Sequence, residues 1–261
     1  MFVDGKAIAK DMYEALRLEV EKATRAPRLG ILTCAPTFET EKYLAIKQKK
    51  ASEVGIQTRV VTLSGDVSED TLLAHLATLV SESDGVVVQL PLPAHISTDT
   101  VLAAIPPSHD VDALNPETTA VLSPVVGAIG EIIKVHEVPI YEKHVVVIGS
   151  GKLVGLPASR WFSEHGAGVS IVTKDTLDIS YYTKNADIIV SGAGVPGLIV
   201  PQMVKEGVVI LDAGTSEDGG MLKGDVDPAC GEKASLLTPV PGGIGPVTIA
   251  VLLRNVVELS R

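Results

Sequence analysis

The sequence predicts an α/β protein of two lobes around a cleft, the second lobe a Rossmann-type dinucleotide-binding domain. Three observations carry this expectation. Short β-branched runs alternate with helical patterns through most of the chain, which implies parallel, buried sheets. A glycine turn, Gly149-Ser150-Gly151-Lys152-Leu153-Val154-Gly155, sits between a strand pattern and a helix pattern, the context that a dinucleotide fingerprint requires. The stretch Thr238 to Thr248 packs three glycines and three prolines into eleven residues, directly before the apolar run Ile249 to Val257. Proline fixes φ and glycine admits other atoms close to the backbone, so this segment is rigid bare backbone beside a helix start.

In chain order, Arg28 to Cys34 reads as a strand and Phe38 to Val54 as a helix. Thr58 to Leu63 is a strand, and Ser68 to Val80 is a helix opened by a serine cap with acidic residues in its first turn. Gly85 to Leu90 is a strand ended by Pro91-Leu92-Pro93. Loop patterns around Ile105 to Asp110 and Asn115-Pro116 break the chain there, which sets the first lobe at residues 1–115 and the second at 116–245. A helical stretch spans Val125 to Val135, then strand His144 to Ile148, the glycine turn, and helix Leu156 to His165. Strands Gly168 to Thr173, Ala186 to Val190 and Val208 to Leu211 follow. The last helix, 246–261, packs back to complete the first lobe.

Composition narrows the function classes. The 261 residues are 46% hydrophobic, enough for a substantial core. A net charge of −10 without any basic run excludes a nucleic-acid stripe. Cys34 and Cys230 lack the spacing of a zinc or redox motif, and no histidine set has metal-like spacing, so no metal is assigned. The charged, amphipathic N-terminus is unlike a signal peptide and no run reaches the roughly 18 apolar residues of a span, so a cytoplasmic protein without a membrane role is expected.

The candidate site residues each have a plain structural reading beside the functional one. Tyr43 and Lys47 are four apart on one helix face, with Thr40 a turn earlier; from spacing alone this is an amphipathic surface helix with a solvated lysine. Gln89 is polar at the end of an apolar strand, where parallel sheets bind ligands. Asp110 and Asp112 flank Val111 in a loop and also fit Asx-turn chemistry. The third glycine of the turn comes one residue late for G-x-G-x-x-G. After the next strand, Lys174 could pair with a 2′-phosphate, Asp175 could accept from a ribose hydroxyl, and both fit a solvated turn.

These pieces, in this order and over nearly the whole chain, resemble the bifunctional methylenetetrahydrofolate dehydrogenase/methenyltetrahydrofolate cyclohydrolase family. Asp4 to Ala9 looks like the family's opening, and Thr40-x-x-Tyr43-x-x-x-Lys47 looks like its S-x-x-Y-x-x-x-K helix. Val88 to Pro93 contains its Q-L-P-L-P, Asp110-Val111-Asp112 is similar to its K-D-V-D-G loop, and Thr238 to Thr248 resembles its T-P-V-P-G-G-V-G-P-M-T. The resemblance implies oxidation of 5,10-methylenetetrahydrofolate with NADP, then hydrolysis to 10-formyltetrahydrofolate. It implies Lys47 as general acid/base, Tyr43 against the folate, Gln89 positioning Lys47, and Asp112 anchoring the pterin. Thr40, Val88, Leu90, Pro241, Gly242, Gly243, Gly245, Pro246 and Thr248 would contact substrate; Gly149, Ser150, Gly151, Lys174 and Thr215 would hold the cofactor. A homodimer is implied too.

The departures fall mostly on the cofactor side. Gly149-Ser150-Gly151 stands where the family often has G-R-S, removing an arginine and a serine from the 2′-phosphate site, so NAD is a rival to NADP. Ala113 replaces the loop glycine, His109 the preceding lysine, and Leu122-Ser123-Pro124 the family's C-T-P after a shortened 115–124 segment. Thr215-Ser216 stands where Ile-Asn is usual. The rival functions are a chain with one of the two activities, another two-lobed nicotinamide dehydrogenase, and a non-catalytic folate- or nucleotide-binding module.

Overall fold

The computed structural model describes residues 1–218 and 221–261. Along the chain the elements are α1 (Gly5–Val20), β1 (Arg28–Cys34), α2 (Phe38–Glu53), β2 (Gln57–Leu63), α3 (Glu69–Glu82), β3 (Gly85–Val88), α4 (Thr98–Ala103) and α5 (Pro124–Val135). Then come β4 (His144–Ile148), α6 (Gly155–Glu164), β5 (Gly168–Val172), α7 (Ile179–Thr183), β6 (Ile188–Ser191), β7 (Val209–Asp212), β8 (Ser216–Asp218), β9 (Met221–Lys223), β10 (Leu236–Leu237) and α8 (Ile244–Leu259). Two compact α/β units result: Lys10–Pro124 with Ile249–Arg261, and Met1–Ala9 with Val125–Thr248.

The first unit is a three-stranded parallel sheet, ordered β2-β1-β3. Its central strand, β1, is buried from Leu29 to Cys34, as a continuous apolar run predicts for a strand covered on both faces. Leu29 and Ile31 pack with Leu16, Leu44, Leu252 and Val256 on one face. Leu32 packs with Leu72, Leu76, Leu79 and Val101 on the other. Thr37, Ser68 and Ser97 cap α2, α3 and α4 by accepting from backbone N–H groups of the first turn.

The second unit holds a five-stranded parallel sheet, ordered β10-β7-β6-β4-β5. The order reverses at β4, with β5 on one side and β6 on the other, which is the doubly-wound pattern. Its register aligns Ile148, Val172, Ser191 and Asp212, so the loops that follow these residues emerge at one sheet edge.

Several details depart from the sequence reading. The first nine residues side with the second unit, because Val3 N–H donates to the Leu237 carbonyl and Leu237 N–H to that of Met1, extending the ladder of β10. The short elements α4, α7 and β8 to β10 have too few residues to show a period. Helix α8 starts at Ile244, two residues before the expected Pro246, because Pro246 falls in the first turn where no N–H acceptor is needed.

Candidate active site

In the first unit, α2 carries Tyr43 and Lys47 on one face, and the Lys47 ammonium lies 5.5 Å from the Tyr43 ring centroid. Lys47 is only 9% exposed, so it is not the solvated lysine that spacing alone suggests. Its Nζ donates to Gln89 Oε1 at 3.1 Å, and Gln89 Nε2 donates to the Leu90 carbonyl, which fixes the amide's orientation. Gln89 is placed by its own backbone, whose N–H continues the ladder to Leu32 O just past β3. Burial lowers the Lys47 pKa, and the Asp112 carboxylate opposes that shift. Burial pushes Asp112 up to about 6, with Lys47 pulling down and Asp110 pushing further up. A lysine, an amide and a carboxylate from three segments thus form one group able to hold or pass a proton near neutral pH.

The loop under Asp112 is built rather than loose. Asp110 is fully buried; its Oδ2 accepts from Asn115 N–H at 2.7 Å and from the Thr118 hydroxyl at 2.8 Å. Val86 N–H of β3 donates to the His109 carbonyl, and Asn255 of α8 donates to the Val111 and Leu122 carbonyls. Ala113 takes φ +51°, a left-handed conformation that favours the glycine it replaces. Asp110 therefore shapes the loop, while Asp112 lies near enough to Lys47 for their charges to interact. Thr40 sits in the first turn of α2, donating its N–H to the Thr37 cap. Val88 is buried at the end of β3 and Leu90 packs partly buried behind it. Tyr43 remains 40% exposed.

In the second unit the glycine turn follows β4 and opens α6. Gly149 has φ +97°, and a Cβ there would lie 2.9 Å from the Gly192 carbonyl oxygen. A Cβ on Gly155 would fall on the Gly149 carbonyl oxygen, so the late third glycine still allows the turn to close on the helix. A Cβ on Gly151 would meet nothing within 4 Å, leaving that side open. No side chain caps the N-terminus of α6, but Leu156 N–H donates to the Gly151 carbonyl, residue 157 is a proline without an N–H, and Ala158 N–H donates to Val154 O, so the open ground for an anion is the glycine turn before the helix. Ser150 is exposed on that turn. This combination fits the pyrophosphate of a dinucleotide.

Beyond β5, the neighbour of β4, Thr173 to Thr176 form a tight turn: Thr173 N–H donates to Thr176 Oγ1, and Asp175 N–H to Thr173 Oγ1. Lys174 and Asp175 are both exposed on it, so geometry keeps both as ribose-side candidates. Thr215 is exposed after β7. In the proline–glycine segment, Gly242 has φ +108° and its carbonyl accepts from Gly5 N–H, while Gly243 N–H donates to Pro239 O. A Cβ on Gly243 would lie 2.7 Å from that same oxygen, so Gly242 and Gly243 are both required by the turn. Gly245, Pro246 and Thr248 form the first turn of α8, where Thr248 Oγ1 donates to Ile244 O. Among the described residues no group of three or more His, Cys, Asp or Glu side chains could hold a metal ion.

The sequence reading missed two buried carboxylates, Asp212 and Asp225, that tie together the loops at this sheet edge. Asp212 lies two residues before Gly214 and Asp225 directly after Gly224; these neighbouring glycines were the available signal.

The profile of the tetrahydrofolate dehydrogenase/cyclohydrolase catalytic domain matches residues 3–112, and that of the family's NAD(P)-binding domain matches residues 123–261. The bifunctional protein FolD of Hydrogenobaculum sp. (strain Y04AAS1) is 37% identical over 274 aligned positions, covering 99% of this chain and 98% of that one. The bifunctional FolD crystal structure from Campylobacter jejuni superposes with a TM-score of 0.95 at 33% identity, covering 100% of this chain and 98% of the other. The Trypanosoma brucei FolD, solved with NADP cofactor and an inhibitor, gives 0.94 at 32% identity over 99% and 96% of the two chains. With a buried lysine–glutamine–aspartate group in one unit and a glycine-turn dinucleotide fold in the other, the chain belongs to the tetrahydrofolate dehydrogenase/cyclohydrolase family.

Proposed function

We propose that this enzyme oxidises 5,10-methylenetetrahydrofolate to the methenyl form with NADP and then hydrolyses it to 10-formyltetrahydrofolate. The observation that carries the second step is the buried Lys47 bonded to Gln89 and opposed by Asp112. NADP, when bound, would supply the hydride acceptor. Gly149, Ser150 and Gly151 would hold its pyrophosphate, Lys174 its 2′-phosphate, and Thr215 its other half. Loss of hydride leaves a methenyl cation; water adds to that carbon, and the C–N bond opens as a proton reaches the leaving nitrogen. Lys47 moves the proton, because burial brings its pKa toward the working range. Gln89 aims the ammonium, Tyr43 lies against the folate, and Asp112 accepts from the amino-pyrimidine edge. Thr40, Val88, Leu90, Pro241, Gly242, Gly243, Gly245, Pro246 and Thr248 are assigned to substrate contact on the family resemblance.

NAD is the second reading, favoured by the serine at position 150 where an arginine is common and by the exposed Asp175 beside Lys174. A homodimer in the cytoplasm is the assembly and location we propose; no helix among the described residues is long and apolar enough to cross a membrane. The test is a steady-state assay with 5,10-methylenetetrahydrofolate, run with NADP and with NAD, following reduced nicotinamide and methenyl absorbance. Turnover with NADP and no methenyl build-up is expected. Methenyl accumulation would leave only the dehydrogenase, and no reduction with either cofactor would refute the oxidation.

A further inference from the structure

Asp225 is fully buried, just after β9, and the hydrogen bonds of its carboxylate all reach the end of β6 and the loop that leaves it. Its Oδ2 accepts from the Ser191 hydroxyl at 2.7 Å, from Ala193 N–H at 2.8 Å and from Gly194 N–H at 3.3 Å. Its Oδ1 accepts from Val195 N–H at 2.8 Å. Three consecutive backbone donors converge on one carboxylate, which locks a turn in which Gly194 has φ +67°. The Ser216 hydroxyl, next to Thr215, donates to the Gly194 carbonyl from the other side. Asp212 braces Asp225 in turn: its Oδ1 accepts from Gly214 and Asp225 N–H, and its Oδ2 from Val226 N–H. A Cβ on Gly214 would fall on the Asp225 carboxylate, so the brace and the loop after β7 are in direct contact.

This turn also backs onto the glycine loop. The Gly192 carbonyl lies against Gly149, and a Cβ on Gly192 would lie 2.6 Å from a Val154 methyl. In a doubly-wound sheet a dinucleotide lies across the strand ends at the switch point. The strand order is β10-β7-β6-β4-β5; a dinucleotide held with its pyrophosphate at β4 and its 2′-phosphate by β5 would direct its nicotinamide half toward the ends of β6 and β7.

We propose that Asp225 is a positioning residue for hydride transfer, holding Ala193–Val195 and the loop after β7 as the wall against the nicotinamide half. This rests on the NADP reading above. A buried carboxylate suits the task because it satisfies several converging N–H groups without offering a donor of its own.

The test uses Asp225→Asn and Ser216→Ala in the full-length enzyme. Asparagine keeps the volume but can no longer accept all four bonds, and the alanine loosens the same turn by one surface bond. For each variant, dehydrogenase kcat, binding of adenosine 2′,5′-bisphosphate, and hydrolysis of supplied methenyltetrahydrofolate are measured. The expected result for Asp225→Asn is a fall in kcat of about 10- to 100-fold, the scale of a wall displaced at a reacting centre. Ser216→Ala should give a smaller fall of the same kind. The bisphosphate, which fills only the adenosine half, should bind as before, and hydrolysis should be kept. A parallel loss of all three readouts would make Asp225 a general folding residue and overturn the proposal, and so would an unchanged kcat. Absence of NADP reduction in the parental enzyme would instead refute the function it rests on.

Discussion

Replacing Lys47 by methionine should remove methenyltetrahydrofolate hydrolysis and leave the fold intact. The loss follows from the site: Lys47 is the titratable cation at the centre of the Gln89 and Asp112 group. A positioned general acid or base contributes about 10²- to 10⁴-fold, or about 3 to 5.5 kcal/mol of barrier at 1.36 kcal/mol per decade. The stability side has the opposite sign. Burial lowers the folded pKa of Lys47 below its ordinary 10.5, so folding expels a proton from it. That position destabilises the fold at low and neutral pH, and the penalty fades as pH rises toward the unfolded value. Methionine fills a similar volume without a charge to desolvate, so the variant should melt no lower than the parent at neutral pH. Loss of the lysine charge also lifts the Asp112 pKa further above about 6, which should move any pH dependence of folate binding to the alkaline side. The assay is decay of methenyl absorbance in the absence of cofactor, paired with a thermal melt and with NADP reduction on methylenetetrahydrofolate. Hydrolysis at the parental rate would refute Lys47 as the proton carrier. A melt several degrees lower with both activities lost would show that the residue matters for folding instead.

Three further outcomes are expected. Lys174→Ala should raise the KM for NADP by about 10- to 100-fold, the scale of a charged hydrogen bond, with little change for NAD; equal effects would remove Lys174 from the 2′-phosphate site. Gly155→Ala puts a methyl on the Gly149 carbonyl, so NADP reduction should collapse while methenyl hydrolysis persists, and a parental KM for NADP would contradict the turn described here. Asp212, pushed up to about 6 chiefly by burial, binds its proton more tightly folded than unfolded, so its stabilisation is full below its ordinary 3.8 and lost as pH climbs through 6. Urea midpoints should therefore fall between about pH 4 and pH 6 and level off above, and Asp212→Asn should reduce that drop; a variant with the parental slope would exclude Asp212 as a source.

Strand and helix order was legible because burial writes itself into sequence. β1, β4 and β6 are covered on both faces, so their apolar runs stand out, and Ser68 marks the start of α3 through a local hydrogen bond, whereas the caps at Thr37 and Ser97 emerged only from the structure. The glycine turn was legible for the same local reason, since Gly149 must take a positive φ whatever surrounds it. Lys47 and Tyr43 were visible as a pair, yet their spacing favoured a solvated helix face. Only the packed fold buries Lys47 against Gln89, 42 residues away in sequence, and brings Asp112 near enough to perturb it. The role of Asp225 was not legible beyond its neighbouring Gly224, because its four donors lie 30 to 34 residues upstream and no periodicity relates them. The placement of residues 1–9 with the second unit rests likewise on pairing with Leu237. Sequence by itself determined what depends on neighbours along the chain: periods, caps, turns and the motifs that name the family. Tertiary structure decided the pKa of Lys47 and the bracing of the cofactor loops, because desolvation and hydrogen bonding depend on which distant groups share a volume.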